Sequence, residues 1–257
     1  MKESDISTNV IILAGGKGTR MESDEPKALT ALSGKPFLQH ILDTLSCISL
    51  PVKPVIVVGY KKEHIFECIG AEYSYAVQTE QLGTGDAVKS AKEHITDLTL
   101  PVVVLYADHP LVSKETVERL ITKQQETKLP VVMATTTVPN FEGWYEAFST
   151  WGRIMRDDLG HIVGNIENKD ASDEQKKITE VNPCFFVFDG PWLWGHLELL
   201  QNENAQKEYY LTDLVKRAFS EGFTIPSVSI PPEEAIGANS KKELEILEGI
   251  YKEKNKD

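Results

Sequence analysis

Cysteine is scarce in this 257-residue sequence, and its spacing excludes two common uses. The three cysteines, Cys47, Cys68 and Cys184, lie far apart and form no CxxC motif. An odd number of dispersed cysteines argues against a disulfide scaffold and against a cysteine zinc site. The same pattern is typical of a protein in a reducing compartment, so we expect a cytoplasmic protein.

Long apolar runs and an excess of basic residues are also missing. No apolar stretch approaches the roughly 20 residues that a membrane helix needs, and the charged start, residues 1–5, lacks the apolar region of a signal peptide. With 27 Lys and Arg against 39 Asp and Glu, the net charge is −12, which argues against a nucleic-acid binder. The sequence therefore predicts neither a membrane nor a nucleic-acid partner.

A glycine-rich loop follows the first apolar run of the chain. Residues 10–13 lead into the segment A-G-G-K-G-T-R at 14–20, and a further cation, Lys27, comes soon after. Glycines let main-chain N–H groups point at anions, and lysine and arginine neutralise phosphate oxygens. The segment is neither a dinucleotide fingerprint nor a P-loop. It indicates a polyphosphate site, with a purely structural turn as the alternative.

Five short apolar runs predict buried strands, and amphipathic stretches lie between the first four of these runs. The predicted strands are 10–13, 55–59, 102–107, 131–137 and 185–188, and the predicted helices are 36–48, 84–95 and 114–125. This alternation implies right-handed βαβ units and a mostly parallel sheet flanked by helices, that is, an α/β fold. Such sheets bind ligands at the carboxyl ends of their strands, where the glycine loop lies.

The pattern changes in the second half. Residues 152–156 and 161–166 predict a β-hairpin around a turn at 157–160, and residues 170–177 are polar enough to be a loop. Residues 211–222 and 240–253 predict two further helices. We see neither a linker nor an internal repeat, and we predict a single domain over residues 1–257.

Several polar residues lie where a ligand would bind. Gln78 and Gln81 offer both donors and acceptors, which suits a nucleobase edge, although solvated glutamines beside a helix cap are the alternative. Asp108 ends an apolar run, where a carboxylate beside an anionic ligand recruits Mg²⁺; a helix cap is its alternative role. The neighbouring His109 is expected to be structural. Later carboxylates, amides and tyrosines suit sugar hydroxyls. The alternative for each of them is an exposed side chain that contacts only solvent.

Taken in order, these segments resemble the nucleotidyltransferase domain of N-acetylglucosamine-1-phosphate uridylyltransferase, within the sugar-nucleotide pyrophosphorylase superfamily. The resemblance covers about residues 8 to 250 and rests on these motifs: L-A-G-G-K-G-T-R-M-x4-P-K, Q-x-x-Q-L-G-T-G-x-A, Y-A-D-x-P-L, W-G-R-I-x-R, E-x-K-D-A, E-V-N, N-A-Q-x-E-Y-Y-L-T-D and G-x-N. It implies a Rossmann-like nucleotidyltransferase fold with a sugar-binding hairpin extension, a catalytic core over 8–232 and a C-terminal segment over 233–257.

The resemblance also implies site residues and substrates, namely UTP and an N-acetylhexosamine 1-phosphate. The implied catalytic residues are Arg20, Lys27 and Asp108, and a Mg²⁺ cofactor would be held by Asp108 and Asn239. The implied nucleotide site consists of Leu13, Ala14, Gly15, Gly16, Gln78, Gln81, Gly83, Thr84 and Tyr106. The implied sugar site consists of Gly152, Glu167, Asn182, Tyr210 and Thr212. No protein nucleophile is needed, because a sugar-phosphate oxygen attacks the α-phosphorus in line.

The sequence departs from the family pattern at several positions. Gly15 replaces an alanine, Trp151 replaces a tyrosine, and Asn182-Pro183-Cys184 replaces Asn-Thr-Gly. Because Pro183 has no N–H to donate, this last change bears on the acceptor sugar rather than on the nucleotide. We expect no acetyl transfer, since the chain ends in a helix rather than in hexapeptide repeats.

Two other functions remain open from the sequence. One is a nucleotidyltransferase that uses another nucleotide or acceptor, such as CTP or dTTP. The other is a non-catalytic sensor of nucleotide sugars, which would have no need for all of the leaving-group and metal contacts. The oligomeric state is left open.

Overall fold

The computed structural model describes residues 7–18, 24–204 and 206–255. Its strands are β1 (Asn9–Leu13), β2 (Ala31–Leu32), β3 (Lys35–Pro36), β4 (Val55–Val58), β5 (Ser74–Val77), β6 (Val102–Tyr106), β7 (Val131–Thr137), β8 (Arg153–Arg156), β9 (Ile162–Ile166), β10 (Glu180–Val181), β11 (Phe186–Phe188) and β12 (Ser227–Ser229). Its helices are α1 (Phe37–Ser46), α2 (Lys62–Ile69), α3 (Thr84–Ser90), α4 (Lys114–Thr127), α5 (Asp173–Lys176), α6 (Gly190–Leu197), α7 (Asp213–Ser220), α8 (Pro232–Ala235) and α9 (Lys241–Lys254). Short 3-10 turns occur at Lys27–Leu29, Lys92–His94, Gly143–Phe148 and Asn168–Asp170.

The main sheet is mixed, and its parallel part confirms the predicted fold class. The strands lie in the order β5-β4-β1-β6-β11-β7-β10-β8-β9, with β12 also paired to β7. β5, β4, β1 and β6 are parallel, while β11 runs antiparallel between β6 and β7. The apolar run of β1 is buried on both faces, as expected for a central strand of a sheet covered by helices.

Two apolar layers cover the faces of this sheet. Successive residues of β1 point to opposite layers: Val10 and Ile12 pack in the layer that contains α1, α2, α4 and α9, and Ile11 packs in the layer that contains α3, α6 and α7. In α1, Phe37, Ile41 and Leu45 are buried at four-residue intervals, so one stripe of the helix faces the sheet. The core therefore follows from strand alternation and helix periodicity.

The predicted hairpin is confirmed as β8 and β9. Its turn is held by Asp157, whose carboxylate accepts hydrogen bonds from the backbone N–H groups of Leu159 (3.0 Å) and His161 (2.8 Å), while Gly160 takes a left-handed φ of 83°. The hairpin joins the main sheet through β10, which pairs with both β7 and β8.

Some local expectations were wrong. The segment 170–177, expected as a loop, contains α5, because Ser172 and Gln175 form a reciprocal capping box that starts a helical turn. The helix expected over 84–95 ends at Ser90 and is followed by the 3-10 turn Lys92–His94. Within the described ranges, none of the helices is both long and apolar enough to cross a membrane.

Two glycines of α6 test how tightly the start of this helix packs against the segment that precedes β6. A Cβ atom on Gly190 would lie 2.5 Å from the carbonyl oxygen of Leu98 and would also overlap that of Leu100, whereas a Cβ on Gly195 has open space. We expect Gly190→Ala to lower the free energy of unfolding by about 2 kcal/mol or more, because backbone cannot yield as a flexible side chain can. The matched Gly195→Ala should raise it by about 0.5–1 kcal/mol. Urea unfolding measures both, and equal effects would contradict this packing.

Candidate active site

Two loops leave the sheet side by side at the carboxyl ends of β1 and β6. Leu13 pairs with Tyr106 at the last register position of these strands. The N–H of Ala107 donates to the carbonyl of Leu13 (3.0 Å), and the N–H of Ala14 donates to the carbonyl of Val57 (2.8 Å). The glycine loop after β1 and the Asp108 loop after β6 therefore begin next to each other.

Three polar side chains from distant parts of the sequence meet between these loops. The ammonium of Lys27 forms an ion pair with the carboxylate of Asp108 and lies 2.7 Å from Oδ1 of Asn239. The Lys27 and Asp108 side chains are only 14% and 19% exposed. Arg20, the remaining predicted catalytic residue, lies outside the described residues.

A cavity of about 300 Å³ opens beside Lys27 and contains the residues predicted to bind the nucleotide. Its walls include Leu13, Ala14, Gly15, Gly16, Gln78, Gln81, Gly83, Thr84 and Tyr106, together with Lys27 and Asp108. Glu208 also lines this cavity and was not among the predicted site residues. Its place in the E-Y-Y-L-T-D motif was the only sequence signal for it.

The hydrogen bonds of Gln78 fix the orientation of its amide group. The amide nitrogen donates to the carbonyl of Gly83 (2.9 Å) and to the carboxylate of Asp86 (2.8 Å). Since both of these partners accept, the amide nitrogen is on their side and Oε1 points the other way, toward Gly15. Gln78, which is 7% exposed, therefore presents an acceptor to the cavity.

The Q-x-x-Q-L-G-T-G-x-A and E-Y-Y-L-T-D motifs are joined to each other by backbone hydrogen bonds. The N–H of Gly85 donates to the carbonyl of Tyr209 (2.8 Å), and the N–H of Tyr209 donates to the carbonyl of Leu82 (2.7 Å). Gly83 has a φ of 107°, and a Cβ there would lie 2.6 Å from the Tyr209 carbonyl, so only glycine fits. The Oγ1 of Thr84 accepts from the N–H of Leu211 (2.9 Å).

A second cavity, of about 250 Å³, adjoins the first at Tyr106, which lines both. It contains three of the predicted sugar residues, Gly152, Glu167 and Asn182, and also Asn239. The other two predicted sugar residues are not among its lining residues: Tyr210 is half-buried, and Thr212 is the residue that precedes α7. Burial, with the nearby carboxylates of Glu208, Glu167 and Asp213, raises the pKa of Tyr210.

The departure from the family pattern at 182–184 lies in the wall of this second cavity. The N–H of Cys184 donates to Oδ1 of Asn182 (2.7 Å), and Cys184 has a φ of 64°, in the left-handed region. The Asn182 oxygen is thus engaged, which leaves its amide nitrogen to serve a ligand as a donor. Burial, together with the charges of Glu167 and Asp108, raises the pKa of the Cys184 thiol to about 12.

The electrostatics around Asp108 favour its ionised form. Burial by itself would raise the pKa of this carboxyl, but the charge and hydrogen bond of Lys27 and the proximity of His109 lower it to about 2. Burial also lowers the pKa of His109, despite the neighbouring carboxylate. Asp108 is therefore an anion at neutral pH.

The residues present fit a Mg²⁺ ion, although no cluster of three or more His, Cys, Asp and Glu side chains occurs in the part of the chain that the structure describes. Asp108 and Asn239 both supply oxygen, which is the ligand that Mg²⁺ prefers. Both already contact one cation, the Lys27 ammonium. One or two protein oxygens are sufficient when phosphate oxygens complete the shell.

Asn239 is held near Asp108 by contacts that the sequence did not reveal. The N–H of Ala238 donates to the carbonyl of Asp108 (3.2 Å), and Nδ1 of His109 donates to the carbonyl of Ala235 (2.6 Å). Glu243 accepts from the N–H of Asn239 (2.5 Å). His109, expected to be structural, thus ties the segment that carries Asn239 to the Asp108 loop.

Comparison with known proteins shows which family the chain matches. A model of the MobA-like NTP transferase domain matches residues 10–193. The bifunctional protein GlmU of Burkholderia lata is 40% identical over 245 residues, and that of Clostridioides difficile is 41% identical over 243 residues. These matches cover 95% and 94% of this chain but 52% and 51% of the relatives, so the chain spans about half the length of the curated relatives it matches.

Solved structures agree on the fold. A UDP-glucose pyrophosphorylase complexed with UDP-glucose superposes with a TM-score of 0.74 at 18% identity, covering 97% of this chain and all of the other. A CMP:2-keto-3-deoxy-manno-octonic acid synthetase complexed with CTP gives a TM-score of 0.70 at 14% identity, covering 96% and 99%. At these identities the likeness supports the Rossmann-like nucleotidyltransferase fold alone.

The raised pKa of Cys184 predicts a large difference in thiol reactivity. At pH 8 a thiol with a pKa of about 12 is ionised in only about one molecule in 10⁴, and the thiolate is the reactive form. Iodoacetamide should therefore alkylate the exposed Cys47 and Cys68 and spare Cys184 in the folded protein. In urea all three should react alike. Peptide mass spectrometry follows each site, and equal rates for Cys47 and Cys184 in the folded protein would contradict the burial.

Proposed function

Because the chain belongs to the MobA-like NTP transferase family, we propose that it joins UTP and an N-acetylhexosamine 1-phosphate into a UDP-sugar with release of pyrophosphate. N-acetylglucosamine 1-phosphate is the acceptor we propose first. One observation carries the proposal: two cavities meet at Tyr106, and the Lys27 ammonium contacts Asp108, which lines the first, and Asn239, which lines the second. A reaction between two phosphates requires such a junction.

The orientation of Gln78 supports uracil as the base. Its Oε1 faces the cavity as an acceptor, and uracil carries an N–H at the ring position where cytosine carries only a lone pair. A cytosine placed in the same way would set two acceptors against each other. This arrangement favours UTP over CTP.

In the proposed reaction, an oxygen of the sugar phosphate forms a bond to the α-phosphorus of UTP, and the bond from that phosphorus to the β-phosphate oxygen breaks. Pyrophosphate leaves with the electron pair. Lys27 would neutralise α-phosphate and sugar-phosphate oxygens, Arg20 would bind the departing pyrophosphate, and the glycine loop would hold the nucleotide through its backbone. When bound to Asp108 and Asn239, Mg²⁺ would supply further charge neutralisation at the phosphates. Alignment and charge compensation are sufficient for such a transfer.

The second cavity supports a sugar as the acceptor. Glu167 supplies an acceptor for hydroxyl groups, and the orientation of Asn182 leaves a donor. We place Gly152, Tyr210 and Thr212 in the same sugar site by resemblance.

We propose one domain for residues 1–257, with the segment from 233 onward as part of it. The carboxylate of Glu248 in α9 accepts from the N–H and hydroxyl of Ser33 (2.6 and 3.0 Å). Lys242 pairs with Glu146 (2.6 Å). The spacing of the cysteines supports a cytoplasmic setting.

Pyrophosphate release measured across a panel of nucleoside triphosphates and sugar phosphates tests the substrates. We expect release with UTP and N-acetylglucosamine 1-phosphate, and at least about tenfold slower release with CTP, because the Gln78 acceptor would be left facing a lone pair. Fast turnover with CTP or dTTP and none with UTP would show that a related transferase activity is the correct one. Tight binding of a UDP-sugar with no turnover on any pair would instead indicate a sensor.

Asp108→Ala tests the role of the junction. We expect kcat to fall on the order of 10³-fold, because an electrostatic contact to the reacting phosphates is lost. Asp43→Ala, which removes a half-exposed carboxylate paired with Lys35, is the control and should leave kcat unchanged. Comparable kcat values for the two variants would contradict the assignment.

Glu167→Gln tests the second cavity. Loss of a charged hydrogen bond costs about 1.5–3 kcal/mol, so we expect the KM for the sugar phosphate to rise about tenfold or more. The KM for UTP should not change, because Glu167 does not line the first cavity. A rise in the KM for UTP alone would contradict the proposal and indicate that the second cavity binds the nucleotide.

A further inference from the structure

Lys27 takes up a position that a metal ion at this site would also need. The residue starts a 3-10 turn after Pro26, and its backbone N–H donates to the carbonyl of Gly16 (3.3 Å), which ties it to the glycine loop. Its side chain reaches across to Asp108 and Asn239, and the ammonium contacts an oxygen of each. These contacts place one positive charge between the two side chains proposed as metal ligands.

Two cations cannot share this position. Mg²⁺ lies 2.0–2.1 Å from its oxygen ligands, and an ammonium lies about 2.7–2.9 Å from the oxygens it contacts. An ion bound to the same oxygens of Asp108 and Asn239 would therefore lie no more than about 5 Å from the ammonium nitrogen as it is now placed. In a crevice where the Lys27 and Asp108 side chains are more than four-fifths buried, water screens little of the repulsion between the two charges.

The lysine has a second set of partners within reach. Lys27 lines the same cavity as Gly15 and Gly16, where the phosphates of a bound nucleotide would lie. Its flexible four-carbon stem carries a point charge that can turn from one group of oxygens to another. The ammonium has three N–H donors for phosphate oxygens, and the backbone N–H of Lys27 can keep its bond to Gly16 while the side chain moves.

We propose that Lys27 and the divalent ion compete for Asp108 and Asn239, so that the ion enters together with a nucleotide whose phosphates draw the ammonium away. This rests on the proposed function for the identity of the two metal ligands. Lys27 then has two successive roles: it pairs with a mostly buried carboxylate before the substrate binds, and it pairs with phosphate afterward. The pairing with Lys27 also spares Asp108 the cost of an isolated buried charge.

The competition is measurable without nucleotide, with Mn²⁺ as the probe and electron paramagnetic resonance to count the free ion. Lys27→Met keeps most of the stem and removes the charge. We expect it to bind Mn²⁺ at least about tenfold more tightly than the wild-type protein does. Lys35→Met removes one positive charge from an exposed ion pair and is the matched control; its affinity should equal that of the wild type.

The double variant Lys27→Met with Asp108→Asn identifies the ion's position and should lose the gain. Equal or weaker Mn²⁺ binding by Lys27→Met would overturn the proposal, and so would a gain that survives in the double variant. The outcome does not depend on catalysis, so a protein that fails to release pyrophosphate from UTP could still show the competition, and the reverse also holds.

A measurement on the wild-type protein covers the case in which Lys27→Met does not fold. Mn²⁺, raised to a concentration at which electron paramagnetic resonance shows the ion bound to the wild-type protein, should speed the acetylation of Lys27 by acetic anhydride, because the ion displaces the ammonium from its partners. The rate at Lys35, followed by mass spectrometry in the same sample, should not change. A Lys27 rate that is unaffected or slowed by Mn²⁺ would overturn the proposal.

Discussion

The parallel pairing of β1 with β6 is the constraint on which the site depends. Their register ends at Leu13 and Tyr106, and the hydrogen bond from Ala107 to Leu13 continues the ladder for one more step. Both chains then leave the sheet at the same point, one into the glycine loop and the other into Asp108. A shift of one residue in either strand would move all of its side chains to the opposite face of the sheet. The ion pair of Lys27 with Asp108 exists because this register is fixed by buried apolar side chains.

Much of the fold follows from local pattern. The runs that became β1 and β6 are mostly apolar, and β7 begins with four apolar residues. Because α1 and α4 carry their apolar residues at helical spacing, all five elements were predicted within two residues of their bounds. The hairpin β8–β9 was predicted from its turn residues. α5 was missed because a single capped turn is too short to show periodicity, although its capping box was present in the sequence. The place of β11 between β6 and β7 depends on long-range pairing that no local signal contains.

In the candidate site, too, the residues of the motifs were predicted and the long-range contacts between them were not. Motif residues such as Gly15, Gln78 and Asp108 were predicted from local pattern and by resemblance, and the structure brings them into one cavity. The contact of Lys27 with Asn239 joins residues 212 positions apart, and the link from His109 to Ala235 joins residues 126 apart. Such contacts depend on tertiary packing of α8 and α9, so spacing along the chain could not reveal them. The roles of individual site residues remain predictions.

Cys184 has a consequence for how this protein can diverge. Its backbone already adopts the left-handed conformation that glycine occupies most readily, and its side chain forms part of the wall of the second cavity. A single codon change to glycine would enlarge that cavity with no rebuilding of the main chain around it. Selection for a bulkier ligand in that cavity therefore has a one-step route at this position, whereas Gly83 in the wall of the first cavity tolerates no side chain.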